Sequence, residues 1–599
     1  MKKLTTIIGA ILLVLCFTQC RKEVKTVTPE EAKGYPITLT MDETSKVDVN
    51  VVEGEHFGEV TFRAGDKIYV ANQGRFVGTI THDGSKFEGT IYDPTPEDPI
   101  EGYLYFYFLG NKTPSENVSK PEDIANYETY HPTTLTVSIS DQSGSQMPLL
   151  SCGKSNKVFS GGGSDYSARL GNKCALAKFN ITKASGASSK DVLIEGVNNK
   201  VVFDLTKISV YTDANVSYSK ADGGYINVGN RTGDIWLILL PQDDDEGGMA
   251  YTSDKTYYGS RGSLKGVVAN HAIKTPIQVN VNTKKPKPSE YPEGTIQGVF
   301  SVSKAGGKVF FSKGNLQYQA STNTWRFAEN QWDFVGSTSQ SVSYGTVEGS
   351  SNNEISSTYS GWIDLFGWGT SGYNHGAVCY QPYSIVKDNS KYYAYGNSGS
   401  QLYDGDGRAD WGYNAISNGG NTENKWRNLK SGEWEWLLGP ASSPAPGTNC
   451  RNSSFVNGTA NARFTFAIIN TGGTPVKGLI IFPDLYLAGT PSGVTWGVIN
   501  DKSPYSTTCT VGGWEELEKA GCVFLPAAGR RDGTSVNYTN GNNNGALGIY
   551  WASNRNANTT AYNLRFGYKE TEYYFEPKRS GSSHRYFGYS VRVVQDYTE

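Results

Sequence analysis

Three groups of residues invite a chemical reading: Asp404, Asp406 and Asp410 in the run Asp-Gly-Asp-Gly-Arg-Ala-Asp, the cysteines Cys509 and Cys522, and a terminal segment from Arg530 to Glu599 crowded with tyrosine, asparagine and arginine. Three carboxylates so spaced could hold calcium, but glycine stands fourth in the run instead of sixth and Arg408 sits where an oxygen ligand is needed. The run reads as a structural turn. Cys522 begins an apolar stretch, Cys522-Val-Phe-Leu-Pro526, where thiols are usually inert. The histidines are scattered singly, none with a second His or Cys at zinc-ligand spacing. No Ser/His/Asp order, close carboxylate pair or phosphate-cradling glycine loop stands out against the glycine background, so no catalytic residue, metal or cofactor is expected.

The terminal segment differs. A stretch that only had to fold would draw on Val, Leu and Ile, whereas runs such as Gly548-Ile-Tyr-Trp-Ala-Ser-Asn-Arg-Asn556 combine rigid amphipathic rings with amides and guanidinium groups, as binding surfaces do. The plainer alternative is a tyrosine-rich β region with no ligand.

The elements that must position this segment follow from composition. With 599 residues, 69 Gly, 12% aromatic and 19% charged residues, the chain is a turn-rich, β-dominated protein, long enough for about three or four domains. Its 55 Lys plus Arg against 58 Asp plus Glu leave no nucleic-acid footprint. Lys2 and Lys3, the apolar run from Ile7 to Phe17, and Cys20 followed by Arg21 form a targeting segment over 1–20, too short in its apolar part for a normal membrane span. It resembles a bacterial lipoprotein signal with Cys20 as the lipidated residue; a plain secretory signal is the alternative. Residues 21–35 read as a polar tether.

Strands are expected over Ile37–Met41, Val47–Val52, Phe62–Val70, Phe76–Ile80, Phe87–Ile91 and Tyr103–Leu109, giving a β-sandwich over 36–146. A second sandwich, 147–281, carries Leu176–Ile181, Val201–Leu205, Ile208–Tyr211 and Ile235–Leu240. Cys152 and Cys174 flank a glycine-rich loop there and are the expected pair if any disulfide forms. Residues 282–294 hold three prolines and three lysines and read as an extended, semi-rigid spacer. Trp236 is the one tryptophan before it and eleven follow, which marks 295–599 as a different kind of domain. That domain is expected to hold short strands at Val309–Tyr318, Trp325–Phe327, Trp332–Val335 and Leu365–Gly369. Two helices are expected, one N-capped by Ser431 with Trp434, Leu437 and Leu438 on one face, the other carrying Trp514, Leu517 and Ala520 and stopping at Gly521.

Two resemblances sharpen this outline. Phe62-Arg-Ala-Gly-Asp-Lys-Ile-Tyr-Val70, Met147-Pro-Leu-Leu-Ser151 and Cys174-Ala-Leu-Ala-Lys-Phe179 resemble the fimbrillin-like lipoproteins of Bacteroidetes, which implies two consecutive β-sandwiches and a pilus subunit or related surface lipoprotein. Asp406–Ala415, Trp426-Arg-Asn-Leu429, Gly478–Asp484, Phe524–Gly529, Tyr550-Trp-Ala-Ser553 and Gly588–Arg592 resemble a C-type-lectin-like domain. This implies an α+β domain with two helices around an irregular mixed sheet and a ligand surface on its last strands and loops. Some relatives are targets of diversity-generating retroelements. On that pattern the framework would be Arg531, Gly533, Trp551, Asn563, Phe566, Arg585, Gly588, Ser590, Val591 and Arg592. The ligand-binding positions would be Arg530, Asp532, Tyr538, Ile549, Asn554, Asn556, Arg565, Tyr568, Tyr586, Phe587 and Tyr589. The Glu-Pro-Asn and Gln-Pro-Asp triplets of calcium-dependent lectins are absent, the nearest being Glu576-Pro-Lys578 and Phe482-Pro-Asp484. The same fold family includes formylglycine-generating oxidases, but their active cysteines lie late in the domain, unlike Cys509 and Cys522.

The expectation is a mainly β, non-enzymatic, outer-membrane surface lipoprotein. It would be an adhesin or ligand-binding protein, with a pilus tip subunit as one form, recognising a glycan or protein through residues after Gly529. Its partners would be that ligand and other pilus subunits, with the membrane met through a lipid anchor only. A structural pilus or matrix subunit is the alternative.

Overall fold

The computed structural model describes residues 33–598 apart from 42–61, 95–97, 119–130, 145–146, 211–212, 338–344, 398–399, 441–446, 474, 503–504, 538–546, 570–571 and 580–582. The lipidation candidate Cys20, most of the tether, the expected strand over 47–52 and the candidate contact Tyr538 lie outside the described residues. The protein is mainly β, with 42% strand and 7% helix. Among the described residues no helix is long and apolar enough to cross a membrane. The chain divides into two compact units, the first made of residues up to Val137 with Leu149–Lys173 and Val202–Ser217, the second of Ser138–Pro148, Cys174–Val201 and Tyr218 onwards.

In the first unit, seven strands close on one another: Gly34–Met41, Phe87–Tyr92, Arg75–His82, Lys67–Asn72, Tyr103–Leu109, Leu150–Val158 and Ser164–Asn172, with the last returning parallel to the first. Closure leaves no open sheet edge. Period-two alternation fills the interior with Ile37, Leu39, Ile68, Val70, Ile80, Leu104 and Phe106, all at most 2% exposed. Turns are set locally. Gln73 and Gly74 take positive φ, and Asp83 accepts hydrogen bonds from the Ser85 and Lys86 amides at 2.7 and 2.9 Å. The apolar stretch from Ile208 is not a strand: Asp204 accepts from Thr206 in a turn, and Ile208 is 64% exposed.

The expected Cys152–Cys174 disulfide is not formed. None of the six described cysteines is in a disulfide, and all six are buried. Cys152 sits inside a strand, and its thiol donates to the Val210 carbonyl at 3.3 Å, so its side chain has a place in the packing that needs no bridge.

The second unit begins with a seven-stranded mixed sheet in which Ala272–Lys284 runs parallel to Ala175–Lys183, itself antiparallel to Gly233–Leu239. Its face buries Phe179, Ile181, Val192, Leu237, Val279 and Val281. Arg261, fully buried, forks onto Asp245 at 3.0 and 2.9 Å, a bidentate geometry that keeps the charge paired out of water. The 282–294 segment does not stand free. Its first residues finish a strand, Pro288–Glu290 is a turn capped by Glu290, and Tyr291 packs on Phe310 with ring centroids 5.0 Å apart. Met249, Tyr251 and Tyr258 of the sheet share one buried cluster with Val299, Phe310 and Leu485.

Glu195 lies in this unit, 5% exposed, with a carboxylate oxygen accepting from the Phe455 amide at 3.3 Å. Burial pushes its pKa up to about 8 against the opposing pull of that hydrogen bond and of the Arg261 charge. A raised folded-state value means that the native state holds the proton more tightly than the unfolded chain, so stability is lost as pH rises from the ordinary carboxyl range towards 8. Unfolding free energies from urea titrations at pH 5.5, 7 and 8.5 are expected to fall in the wild type by up to roughly 1.4 kcal/mol per pH unit relative to Glu195→Gln. Parallel curves would remove this account of Glu195.

From Thr295 the chain builds a module around a five-stranded sheet. Val476–Ile481 lies between Phe464–Asn470 and Val523–Pro526, and Thr507–Thr510 runs parallel to Phe464–Asn470. Two helices pack on it, Ser431–Leu438 through Trp434, Leu437 and Leu438, and Val511–Lys519 through Trp514 and Leu517. The first is capped at Lys430 and not at Ser431: Glu433 reaches back to the Lys430 amide at 2.7 Å, and Ser431 donates its own N–H to the Asn554 side chain at 2.7 Å. The second ends as expected, with Gly521 at φ +91°. Trp332–Val335 and Leu365–Gly369 are irregular, apart from an isolated bridge between Phe366 and Tyr589. Lys308–Phe311 pairs with Val593–Tyr597, so the two ends of the module close on each other.

Candidate binding surface on the terminal sheet

Three antiparallel strands, Leu547–Arg555, Ala561–Lys569 and Glu572–Arg579, form a separate sheet near the C-terminus. Alternation gives it two faces. Tyr550, Ala552, Leu564, Phe566 and Phe575 enter one core cluster, with Phe575 stacked on Phe464 at 4.0 Å. Ile549, Trp551 and Ala561 point the other way, into a second cluster with Phe366, Trp368, Trp411 and Val591.

The residues expected to be framework are held in place. Trp551 is fully buried and donates from Nε1 to the Phe366 carbonyl at 2.7 Å. Arg531, also fully buried, donates to the carbonyls of Leu365, Gly533 and Ser384. Arg585 donates to the carbonyls of Ala557 and Tyr393, and Arg592 to the Gln331 side chain at 2.6 Å. Gly533 takes φ +65°, and a Cβ on Gly588 would lie 2.8 Å from the Leu365 carbonyl oxygen. Asn563, Phe566, Ser590 and Val591 are buried.

The expected ligand contacts divide. Ile549, Phe587 and Tyr589 are core residues, 5%, 7% and 3% exposed, and so are not surface contacts. The Trp551 and Tyr589 rings lie 4.3 Å apart, and Phe587 packs beside them, because the 316–368 region supplies the apolar wall that these rings fill. Asn554 has a structural role, accepting from the Ser431 amide and donating to the Tyr403 hydroxyl at 3.0 Å. Asn556 bonds Thr560 across a turn. Asp532 pairs with Lys387 at 2.9 Å. Tyr568, half-buried, packs against Tyr573 at 4.7 Å.

Arg530, Arg565 and Tyr586 remain, with groups that the sequence did not single out. Arg530 lies over the Phe587 ring at 4.6 Å, and Arg565 over the Tyr574 ring at 4.1 Å. Register aligns Ile549, Arg565 and Glu576 across the three strands. Glu576 holds Arg579 at 2.6 Å but stands 3.7 Å from Arg565, too far for a hydrogen bond. Tyr586 stacks on His584 with rings nearly parallel and 5.2 Å apart. Burial raises the Tyr589 hydroxyl to about 12, while the charge of Arg530, a hydrogen bond with Ser583 and the charges of Arg565 and Arg579 pull it down. Burial and the nearby Arg579 lower Arg565. Spacing alone could not have shown the Arg565, Glu576 and Arg579 group, because strand register sets Glu576 opposite Arg565. Beside it, a cleft of about 800 Å³ is lined by residues that include Glu435, Trp436, Asn449, Phe575, Glu576 and Arg579.

The other chemical candidates serve the fold. Asp410 is buried and accepts from the Gly412 and Asn428 amides at 2.9 and 3.0 Å, and Asp406 pairs with Arg408. Among the described residues no group of three or more His, Cys, Asp or Glu could hold a metal. Burial pushes Cys509 up to about 12 and raises Cys522 well above the ordinary thiol range, so both thiols stay protonated at neutral pH.

No family model matches the chain, and no curated protein matches it. Among solved structures it is similar to a proposed cell adhesion protein from Bacteroides ovatus at 16% identity, covering 43% of this chain and 94% of that one, with a TM-score of 0.26. A fimbrial assembly protein from Parabacteroides distasonis matches at 8% identity over 50% and 99% of the two chains, TM-score 0.21. The fimbrial anchor protein Mfa2 from Porphyromonas gingivalis matches at 10% identity over 39% and 83%, TM-score 0.21. At these TM-scores the likenesses carry no argument about what this chain does.

Proposed function

We propose that the protein is a non-enzymatic cell-surface adhesin or fimbrial subunit, anchored in the outer membrane through lipidated Cys20, whose lectin-like C-terminal module recognises a glycan or protein. The observation that carries this reading is a pair of half-buried arginines at the terminal sheet. Arg565 on its middle strand and Arg530 on the separate Arg530–Asp532 strand lie on aromatic rings, while Trp551, Arg531, Arg585 and Arg592 are buried and hydrogen-bonded in the same module. Binding surfaces combine immobilised rings and forked donors in this way because little side-chain entropy is left to lose. On this reading Arg530, Arg565 and Tyr586 are positions that a retroelement would rewrite, which a near-identical repeat beside a reverse-transcriptase gene would test.

Removing the module is a poor experiment, since it would expose Met249, Tyr251 and Tyr258 in the preceding sheet. Point substitution on the displayed full chain is cleaner. Cells carrying Arg530→Gln, Arg565→Gln and Tyr586→Ala together are expected to keep surface levels and any fibres and to lose adhesion. Unchanged adhesion would refute the reading; lost fibres would favour a structural subunit.

A further inference from the structure

Arg530 and Arg565 have something unusual for half-buried arginines: among the described residues neither guanidinium has a hydrogen-bond acceptor. Arg530 is engaged by the Phe587 ring, and no described acceptor meets its N–H groups. Arg565 has a side chain 11% exposed, its Nε is buried without a partner, and its one carboxylate neighbour, Glu576, is 3.7 Å away and already held by Arg579 at 2.6 and 2.7 Å. Buried donors are normally paired, and a guanidinium left without acceptors carries a desolvation cost with no local return. Elsewhere in this module the buried arginines 451, 463, 531, 585 and 592 each have at least one acceptor, although Arg463, Arg585 and Arg592 also leave one buried nitrogen unpaired, so Arg530 and Arg565 differ in having none among the described residues.

Arg565 and Arg579 therefore share one carboxylate, Glu576, while Arg530 lies over the Phe587 ring, and Tyr574 and Tyr586, the neighbours of Arg565 and Phe587, are half-buried rings. Planar forks of this kind match a carboxylate or sulfate in bidentate fashion, and rings beside them suit the apolar faces of sugar rings. An acidic peptide would satisfy the cations but leave the flanking rings without matching partners.

We propose, resting on the adhesin reading above, that Arg530 and Arg565 bind the carboxylate or sulfate groups of an acidic glycan, with Tyr574 and Tyr586 stacking on the adjoining sugars. The test uses the purified full chain with polygalacturonate and chondroitin sulfate as acidic probes, dextran as a neutral probe and polyglutamate as an acidic peptide. Binding is expected to at least one acidic polysaccharide, to weaken with added salt, and to be weaker or absent for dextran and polyglutamate. Arg530→Gln and Arg565→Gln should each lower affinity by about 10-fold or more, and Arg565→Lys should recover only part of the loss because a point charge lacks the fork. Glu576→Gln removes the competing carboxylate and should raise affinity several-fold, a gain that misfolding cannot imitate. Equal binding of dextran or polyglutamate, or affinities unmoved by the arginine and Glu576 substitutions, would overturn the proposal. If the substitutions abolish cell adhesion while no acidic polysaccharide binds, the acidic-glycan assignment fails and the adhesin reading stands. If acidic polysaccharides bind through these arginines while adhesion is unaffected, the adhesin reading fails.

Discussion

Asp484→Ala is expected to lower the unfolding free energy of the C-terminal module by about 4 kcal/mol, because a buried ion pair broken from one side leaves the other charge without compensation. Asp484 is 2% exposed and Arg451 1%. Arg451 donates from one guanidinium nitrogen to Asp484 at 2.9 Å and from another to the Phe482 carbonyl at 2.6 Å. The same carboxylate accepts from the Ser301 amide and hydroxyl at 2.9 and 2.7 Å, which fixes the first strand of the module against the Phe482–Tyr486 turn. Alanine removes all of these acceptors together. Burial lowers the Arg451 pKa and the Asp484 charge raises it, so loss of the carboxylate leaves desolvation unopposed by its main partner. Urea unfolding followed by tryptophan fluorescence measures the effect; a midpoint shift worth less than about 1 kcal/mol would show that the pair is dispensable.

Trp551→Ala should cost a similar amount, about 3–5 kcal/mol for a buried Trp, through cavity formation and the loss of a hydrogen bond. Trp551 touches Tyr589 and donates to the Phe366 carbonyl, so its removal loosens the join between the terminal sheet and the 316–368 region. Tyr586→Ala, thirty-five residues on, should change stability by less than about 1 kcal/mol, since Tyr586 is half-buried and packs mainly on His584 and Phe587. Thermal unfolding of the two variants beside the wild type separates scaffold from surface. Equal losses would dissolve the distinction on which the binding site rests.

These two cases also show what the sequence could reveal. The strands of the first module and of the 175–284 sheet were legible because Ile, Val, Phe and Tyr alternate there and glycine turns delimit them. The helices were legible from Trp434, Leu437, Trp514 and Leu517, although the cap moved from Ser431 to Lys430, since Ser431 is drawn to Asn554, more than a hundred residues away. Phe482-Pro-Asp484 attracted notice as a relative of a sugar-binding triplet, yet its aspartate is occupied by a buried arginine. Ile549, Phe587 and Tyr589 looked like surface contacts because the wall they pack against, Phe366 with Trp368, lies about two hundred residues earlier and is irregular in backbone. Arg579 went unnoticed because its link to Arg565 runs through Glu576, which only strand register sets opposite Arg565. Local pattern reveals a strand and its buried face; whether a given arginine has an acceptor depends on contacts between distant segments.

The proposal is positional: recognition would reside at Arg530 and the terminal sheet and not on the β module near the N-terminus. That module has its own exposed pair of a cation over a ring, Lys154 above Tyr103, which is 39% exposed. The most direct measurement compares retention of particles coated with the full chain on an immobilised panel of polysaccharides and glycoproteins, for Arg530→Gln/Arg565→Gln against Lys154→Gln/Tyr103→Ala. The account predicts that the first pair loses retention at least about 10-fold while the second matches the wild type. Retention that survives the first pair and disappears with the second would contradict it.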